Sequence, residues 1–349
     1  MGYLRALLLP FSLLYGLAIW LRNRLYDWGW LRSTAFDQSV IVVGNLAVGG
    51  TGKSPMTEYL IRLLSNRSRV ATLSRGYGRK TRGFLEVMPD DTAQRTGDEP
   101  LQFKRKFPEI TVAVDEDRVH GVSRLIDSGH DTIVLDDAYQ HRALRPGLAI
   151  LLFDYHAMGK PKWLLPAGDY RDAFGERHRA DVMVVTKTPI GTTNAKKNRI
   201  RQQLATTRDI PVLFASIGYG SLTPLWVVDD HADMLGSNVS VLLLTGIANP
   251  VPLYEYLSPQ VAEIEHLRYA DHHDYTVADI QKVVRCFGEM KNPNKLIVTT
   301  EKDAQRLLDP MVAVLLADLP IYMIPIHLTF DDADDAAFRK LVLAYCATP

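Results

Sequence analysis

The sequence predicts an α/β fold: a doubly wound, mostly parallel sheet, a second, smaller α/β unit, and a helix ahead of both. Three observations predict it. Short β-branched runs alternate with helical stretches from Ser39 onward; the first run leads straight into a glycine-rich segment; and a Gly- and Pro-containing stretch, Gly218 to Pro224, separates six early runs from three later ones.

The first element precedes the sheet. From Ala6 to Leu21 the chain runs 16 residues without a charge, bracketed by Arg5 and by Arg22 and Arg24. A spanning helix needs about 20 apolar residues, and Pro10 and Gly16 weaken this run further. Tyr15, Trp20, Tyr26, Trp28 and Trp30 interleave with the arginines, the pattern of a helix lying at the headgroup boundary of a membrane. A buried core helix and a spanning segment are the alternatives. No small-residue cleavage site precedes the polar region, so a removable signal peptide is not expected.

The six early runs are Ser39 to Val43, Val70 to Ser74, Thr111 to Val114, Thr132 to Leu135, Ala149 to Phe153 and Val182 to Thr186, and all fit one doubly wound unit. The later runs, Val241 to Thr245, Lys295 to Thr300 and Ile321 to Ile326, suggest the smaller unit. A final helix from Asp334 to about Tyr345 has an apolar face for either unit. The expected organisation is therefore a helical segment over 1–35, a first unit over 36–220 and a second over 221–349.

The first run ends in Gly44-Asn45, and the residues Ala47, Val48, Gly49, Gly50, Thr51, Gly52, Lys53 and Ser54 then lead into a helical pattern. Strand, glycine-rich loop and helix in that order make a P-loop NTPase-like phosphate site. Glycines let backbone N–H groups curl around phosphate oxygens, the helix N-terminus offers a positive dipole end, Lys53 neutralises charge on the terminal phosphates, and Ser54 can hold Mg²⁺. A strict GxxxxGKS/T match needs glycine at 47, where Ala47 stands; the glycines nearest the lysine, which shape the turn, are present. An ordinary glycine-rich turn is the bland alternative.

A second carboxylate-bearing strand agrees with the nucleotide reading. Ile133-Val134-Leu135 runs into Asp136-Asp137, acids at the sheet edge where ligands of doubly wound sheets sit. Asp136 is the metal-side candidate and Asp137 a residue that orients the metal or binds substrate; two acids here imply Mg²⁺. Thr186-Lys187 is followed by Thr188-Pro189, which lacks the carboxylate of the guanine-reading N/TKxD loop, so ATP is favoured. Val48 stands where partition ATPases carry lysine, which leaves a kinase as the leading expectation.

Composition bounds the rest. Forty basic and forty acidic residues cancel, so no global field draws the chain to nucleic acid. Cys286 and Cys346 are too few for a disulfide framework or a thiolate metal site and fit a reducing, cytosolic compartment. A monomer is the expected state.

Eight strings occur in order: VGNLAVGGTGKSP (43–55), SRGYGR (74–79), TGDEP (96–100), LDDAYQH (135–141), LLPAGDYRD (164–172), TGIANP (245–250), DHHDY (271–275) and TTEKDAQR (299–306). Over nearly the whole chain they resemble the tetraacyldisaccharide 4'-kinase family. The resemblance implies ATP-dependent phosphorylation of the 4'-hydroxyl of an acylated glucosamine disaccharide 1-phosphate, giving lipid IVA in lipid A biosynthesis. It also implies work at the lipid surface on the cytoplasmic face of the Gram-negative inner membrane. Such a substrate stays in the bilayer, each buried methylene favouring it by about 0.8 kcal/mol, so the enzyme must go to it. The family's usual LDDGFQH has Ala138-Tyr139 here, and its usual loop threonine is Ser54, which keeps the hydroxyl.

The resemblance further implies that Asp98 activates the sugar hydroxyl with His272 as its partner, the two lying in different units and brought together by closure. Read from the residues alone, Asp98 is a helix cap and His272 a surface polar group. A polyhydroxylated, phosphorylated headgroup needs cations and hydrogen-bonding groups, for which Arg118, Arg171, Tyr77, Glu99, Asp137 and Asp172 are the candidates. The competing readings are a soluble small-molecule P-loop kinase or ligase, and a nucleotide-switch ATPase.

Overall fold

The computed structural model describes residues 5, 7–226 and 235–347. Ala6 of the uncharged run lies outside them. The run forms α1 (Leu9–Asp27), with Pro10 in its first turn, where a missing N–H costs nothing. Its polarity is inverted: Ser12 and Asn23 are buried, while Phe11, Leu13, Leu14, Leu17, Trp20 and Leu21 are exposed. Ser12 explains half of this, because its hydroxyl donates to the Leu164 carbonyl at 3.0 Å and accepts from the Ala167 N–H at 2.9 Å. Asn23 explains the other half by donating to Asp172 at 3.0 Å. Gly16 lets the helix lie this close, since a Cβ there would stand 2.9 Å from Leu164. Among the described residues no helix is long and apolar enough to cross a membrane.

The larger sheet follows, in chain order β1 (Ser39–Asn45), α2 (Lys53–Leu64), β2 (Val70–Ser74), β3 (Leu85–Glu86), α3 (Asp98–Lys106), β4 (Thr111–Val114), α4 (Arg118–Asp127), β5 (Thr132–Asp136), β6 (Leu148–Asp154), β7 (Val182–Thr186), α5 (Asn194–Leu204) and β8 (Val212–Tyr219). With a late strand, β14 (Ile326–Phe330), its nine strands lie in the order β14-β8-β7-β6-β1-β5-β2-β4-β3. All pairs are parallel except the edges, β3 on β4 and β14 on β8. Alternation along β1 splits the core: Ile41 and Val43 join Met56, Leu60 and Phe338 on one face, while Val40 and Val42 join Val122, Leu125 and Leu204 on the other. Parallel strands bring the loops after β1, β2, β4 and β5 to one edge, and β1 is the point from which the chain winds in both directions.

The smaller sheet contains β9 (Thr223–Pro224), β10 (Ser240–Thr245), α6 (Val251–Leu257), β11 (Glu263–Arg268), α7 (Val277–Glu289), β12 (Lys295–Thr300), α8 (Glu301–Leu307) and β13 (Ile321–Ile324), with strand order β11-β10-β12-β13-β9. Helix α7 begins in a reciprocal capping box between Thr276 and Asp279 and buries Ile280, Val283 and Phe287. After β13 the chain returns to the larger sheet. β14 (Ile326–Phe330) pairs antiparallel with β8, and α9 (Asp332–Cys346) packs Phe338 and Val342 into the larger core. The expected second unit of 221–349 is thus corrected at its far end: not only the last helix but also the strand before it belongs with the first unit. Pro325 marks the crossing, since it cannot donate within a ladder.

Candidate active site

The glycine-rich loop is braced from behind and open in front. Asn45, buried at the end of β1, donates to the Thr51 hydroxyl at 2.7 Å, and the Thr186 hydroxyl donates to the Thr51 carbonyl at 2.8 Å. The Val48 N–H donates to the Asp169 carbonyl at 2.8 Å, so it is taken up in shaping the loop, and Ala47 bridges to Tyr170 beside it. Gly49 and Gly52 have φ of 106° and 82°, conformations that favour glycine, and a Cβ at Gly49 or Gly50 would meet nothing within 4 Å. That open side, ahead of the N-terminus of α2 with Lys53 and Ser54 in its first turn, has the geometry to accept a phosphate.

The end of β5 faces the loop. Asp137, at φ 55°, takes both terminal nitrogens of Arg171, one at 3.0 Å, and lies 3.8 Å from Lys53 Nζ. Arg171 also donates to the Asn45 side chain, so β1, β5 and the 164–172 loop meet at one guanidinium. Asp136 is 1% exposed, and its Oδ1 has no hydrogen-bond partner in the protein. Burial, reinforced by Glu99 and opposed by Lys53, pushes its carboxyl up to about 7. An orphaned carboxylate oxygen this deep, within electrostatic reach of Lys53 at the start of α2, fits a hard cation. Among the described residues no cluster of three His, Cys, Asp or Glu side chains stands ready to cage a metal by itself.

A carboxylate–imidazole pair, Asp98 and His272, is built where the two units touch. Gly97, at φ 94°, turns the chain into α3, so Asp98 is the first helical residue rather than the cap. One oxygen of Asp98 accepts from the Glu99 N–H at 3.0 Å; the other accepts from Arg306 at 3.1 Å and lies 3.0 Å from His272 Nδ1. Burial raises Asp98, but the His272 hydrogen bond and the charges of Lys302, His272 and Arg306 outweigh it and hold the carboxyl well below the usual range. The same hydrogen bond raises His272 above the ordinary imidazole value, against a smaller opposing effect of burial. His272 sits at φ 56° after β11, its N–H donating to Gly246. Its neighbour His273 is instead structural, stacked on Tyr269 with centroids 4.7 Å apart and 3.0 Å from Asp279.

Helices α3 and α8 run antiparallel across the junction of the units, each N-terminus beside the other's C-terminus. Arg306 meets Asp98, Lys302 meets Glu99, Glu301 meets Lys106, and Gln305 accepts from Arg105 at 2.9 Å. Glu99 also accepts from the Ser54 hydroxyl at 2.9 Å, so the Asp98–His272 pair and the start of α2 are linked through adjacent residues.

A cleft of about 550 Å³ lies between Asp98 and Glu99 on one side and the end of β5 on the other; residues 47–54 and His272 are not on its lining. It is lined by Asp98, Glu99, Arg118, Asp136, Asp137 and Arg171, and by Tyr77, whose ring lies 5.2 Å from that of His272. Asp172 is not on this lining: it is 1% exposed and held by Asn23 and Arg179, so its position serves the seating of α1. The sequence reasoning missed Tyr15, Ile19 and Arg22 of α1, which wall the cleft, and it assigned no role to Lys302 and Arg306. The signal for the last two was their spacing of four in TTEKDAQR, which puts two cations on one face of a helix after a strand.

Comparison with known proteins agrees with this architecture. The family model described as tetraacyldisaccharide-1-P 4'-kinase matches residues 4–347. A tetraacyldisaccharide 4'-kinase of Phocaeicola vulgatus is 42% identical over 345 residues, covering 97% of this chain and 94% of that protein. One of Bacteroides thetaiotaomicron is 41% identical over 351 residues, covering 97% and 92%. The crystal structure of LpxK from Aquifex aeolicus in complex with ATP superposes with a TM-score of 0.75 at 28% identity, covering 98% of this chain and 99% of that one.

Proposed function

This chain belongs to the tetraacyldisaccharide-1-P 4'-kinase family, and from that premise we propose how its residues divide the work. The enzyme is a phosphotransferase that moves the γ-phosphoryl group of ATP onto the 4'-hydroxyl of tetraacyldisaccharide 1-phosphate in lipid A biosynthesis. Gly49 to Ser54 wrap the ATP phosphates, and Lys53 neutralises charge on the phosphoryl group in flight. The sugar oxygen attacks the γ-phosphorus as the bond to the β-phosphate oxygen breaks and ADP leaves. Asp98 accepts the hydroxyl proton, and His272 orients the carboxylate and shares the charge. Arg118, Tyr77, Glu99 and the Asp137–Arg171 pair line the path of the sugar headgroup. Mg²⁺, held by Ser54 and Asp136, would supply charge neutralisation on the phosphate oxygens.

The inverted helix α1 supports work at a lipid surface, and we assign it to the cytoplasmic face of the Gram-negative inner membrane. Its exposed leucines and Trp20 face outward while its polar residues grip the cleft loop, the arrangement of a helix lying in an interface. The observation that carries the reading is the adjacency of Asp98, bonded to His272, and Glu99, bonded to Ser54, because it sets a proton acceptor beside a phosphate loop. A soluble small-molecule kinase or ligase and a nucleotide switch are not favoured by a family match over residues 4–347.

The test is incubation with γ-³²P-labelled ATP, Mg²⁺ and acylated disaccharide 1-phosphate. A labelled lipid is expected from the native chain and none from Lys53→Ala, which loses the nearest fixed cation to the transferring group. Undiminished turnover by Lys53→Ala would remove the loop assignment.

A further inference from the structure

One oxygen of Glu99 is shared by donors from opposite units: the Ser54 hydroxyl at 2.9 Å and the ammonium group of Lys302. Glu99 stands among other carboxylates, with Asp98 next in sequence and Asp136 on the lining of the same cleft. The Lys302 ammonium is the contact that holds it from the smaller unit. Without that ammonium the carboxylate can swing toward Lys53, which changes what the Ser54 hydroxyl meets.

Helix α8 therefore does two things with two cations four residues apart. Arg306 contacts the carboxylate of the proton-accepting dyad, and Lys302 contacts the carboxylate bonded to the phosphate loop. We propose that Lys302 is a positioning residue for the nucleotide half of the reaction: contributed by the smaller unit, it fixes Glu99 and, through Glu99, the Ser54 hydroxyl. Docking of α8 on α3 then prepares both halves of the site together, and a separation of the units disables both. The inference rests on the reading of residues 49–54 as the ATP site.

The experiment uses the full-length enzyme and four variants: Lys302→Met, Lys302→Arg, Glu99→Gln, and Glu99→Gln with Lys302→Met. Calorimetry measures binding of ATP with Mg²⁺ and of ATP in chelator, and steady-state assays separate kcat from KM for ATP. Groups that orient a ligand-holding residue are worth about 10- to 100-fold. Lys302→Met is expected to weaken Mg²⁺-dependent ATP binding by about 10-fold and kcat/KM for ATP by about 10- to 100-fold. Binding of ATP in chelator should stay within about twofold, and Lys302→Arg should recover most of the loss because the charge remains.

If Lys302 acts through Glu99, adding Lys302→Met to Glu99→Gln costs less than about twofold more, whereas independent roles would give losses that multiply. Unchanged Mg²⁺-dependent affinity in Lys302→Met, or multiplicative losses in the double variant, overturns the proposal. Circular dichroism and melting screen for misfolding; should Lys302→Met fail to fold, Lys302→Gln carries the same expectations. The loop assignment itself fails by a different result, undiminished turnover in Lys53→Ala, whatever Lys302 does.

Discussion

Asp98→Asn removes a charge and a proton acceptor while keeping the shape of the side chain. General-base groups contribute about 10²- to 10⁴-fold, so kcat should fall by that order while ATP affinity is retained. The structure also sets a stability cost. Asp98 is buried and accepts from the Glu99 N–H and from Arg306, with His272 at hydrogen-bond distance. The amide oxygen can keep the Glu99 contact, but the partner charges of Arg306 and His272 lose their anion. Breaking a buried pair costs about 3–5 kcal/mol; because Arg306 retains Asp303 at 3.2 Å and His272 is partly exposed, the lower end is expected, about 3 kcal/mol.

That cost depends on pH in a definite direction. His272 is raised by Asp98, so its contribution is complete below the unfolded value of about 6.5 and is lost as pH rises through the higher folded value. Asp98 is depressed, so its contribution is present above about 3.9 and is lost only as pH falls toward its much lower folded value. The native enzyme should therefore exceed Asp98→Asn in stability most between about pH 4 and 6.5, with the gap narrowing above. Denaturant unfolding across pH, single-turnover transfer, and NMR titration of His272, which should move down in the variant, measure the three parts. A kcat within tenfold of native, or a loss confined to KM for lipid, would refute Asp98 as the base. A stability gap that stays flat with pH would refute the coupling to His272.

Two further outcomes are expected. Replacing Leu13, Leu14 and Leu17 together with glutamine removes exposed apolar side chains of α1 and should cut binding to anionic phospholipid vesicles at least tenfold at unchanged fold, as sedimentation with vesicles would read; retained binding would remove α1 as the lipid-facing element. Phe338→Ala empties a fully buried site stacked on Phe330 and edge-on to Tyr59, and should lower unfolding free energy by about 3–5 kcal/mol in urea; a loss under about 1 kcal/mol would mean that α9 contributes little to the larger core.

What the residues disclosed on their own was local. The order of strand, glycine-rich loop and helix, and the place of Asp136 at a strand end, were legible because the residues are contiguous, and backbone conformation there follows from glycine and from the parallel sheet edge. Asp98 and His272 are 174 residues apart, so only the family resemblance linked them, and nothing linked Lys302 to Glu99 across 203 residues. The polar face of α1 escaped notice because nothing local marks Ser12 or Asn23 for burial; their partners lie in the 164–172 loop. β11, with Glu263, Glu265 and Arg268 exposed, lacks the apolar run that marked its neighbours. Ile321 to Ile326 read as one strand although Pro325 interrupts it, and that proline separates two sheets.

The return of β14 and α9 to the larger sheet has a consequence for synthesis. β8 emerges from the ribosome long before its antiparallel partner, and the entire smaller sheet is made in between. The smaller unit, with its own apolar layers on both faces, holds all its strands before the larger one is complete. Until Phe338, Val342 and Tyr345 arrive, the face of the larger core beneath them lies bare and the edge of β8 is unpaired, a state open to mispairing with other nascent chains. Yet the phosphate loop, Asp98 and Asp136 have all been translated by then. Completion of the last helix, rather than translation of any residue in the cleft, therefore marks the moment at which the larger unit becomes a stable partner for α8.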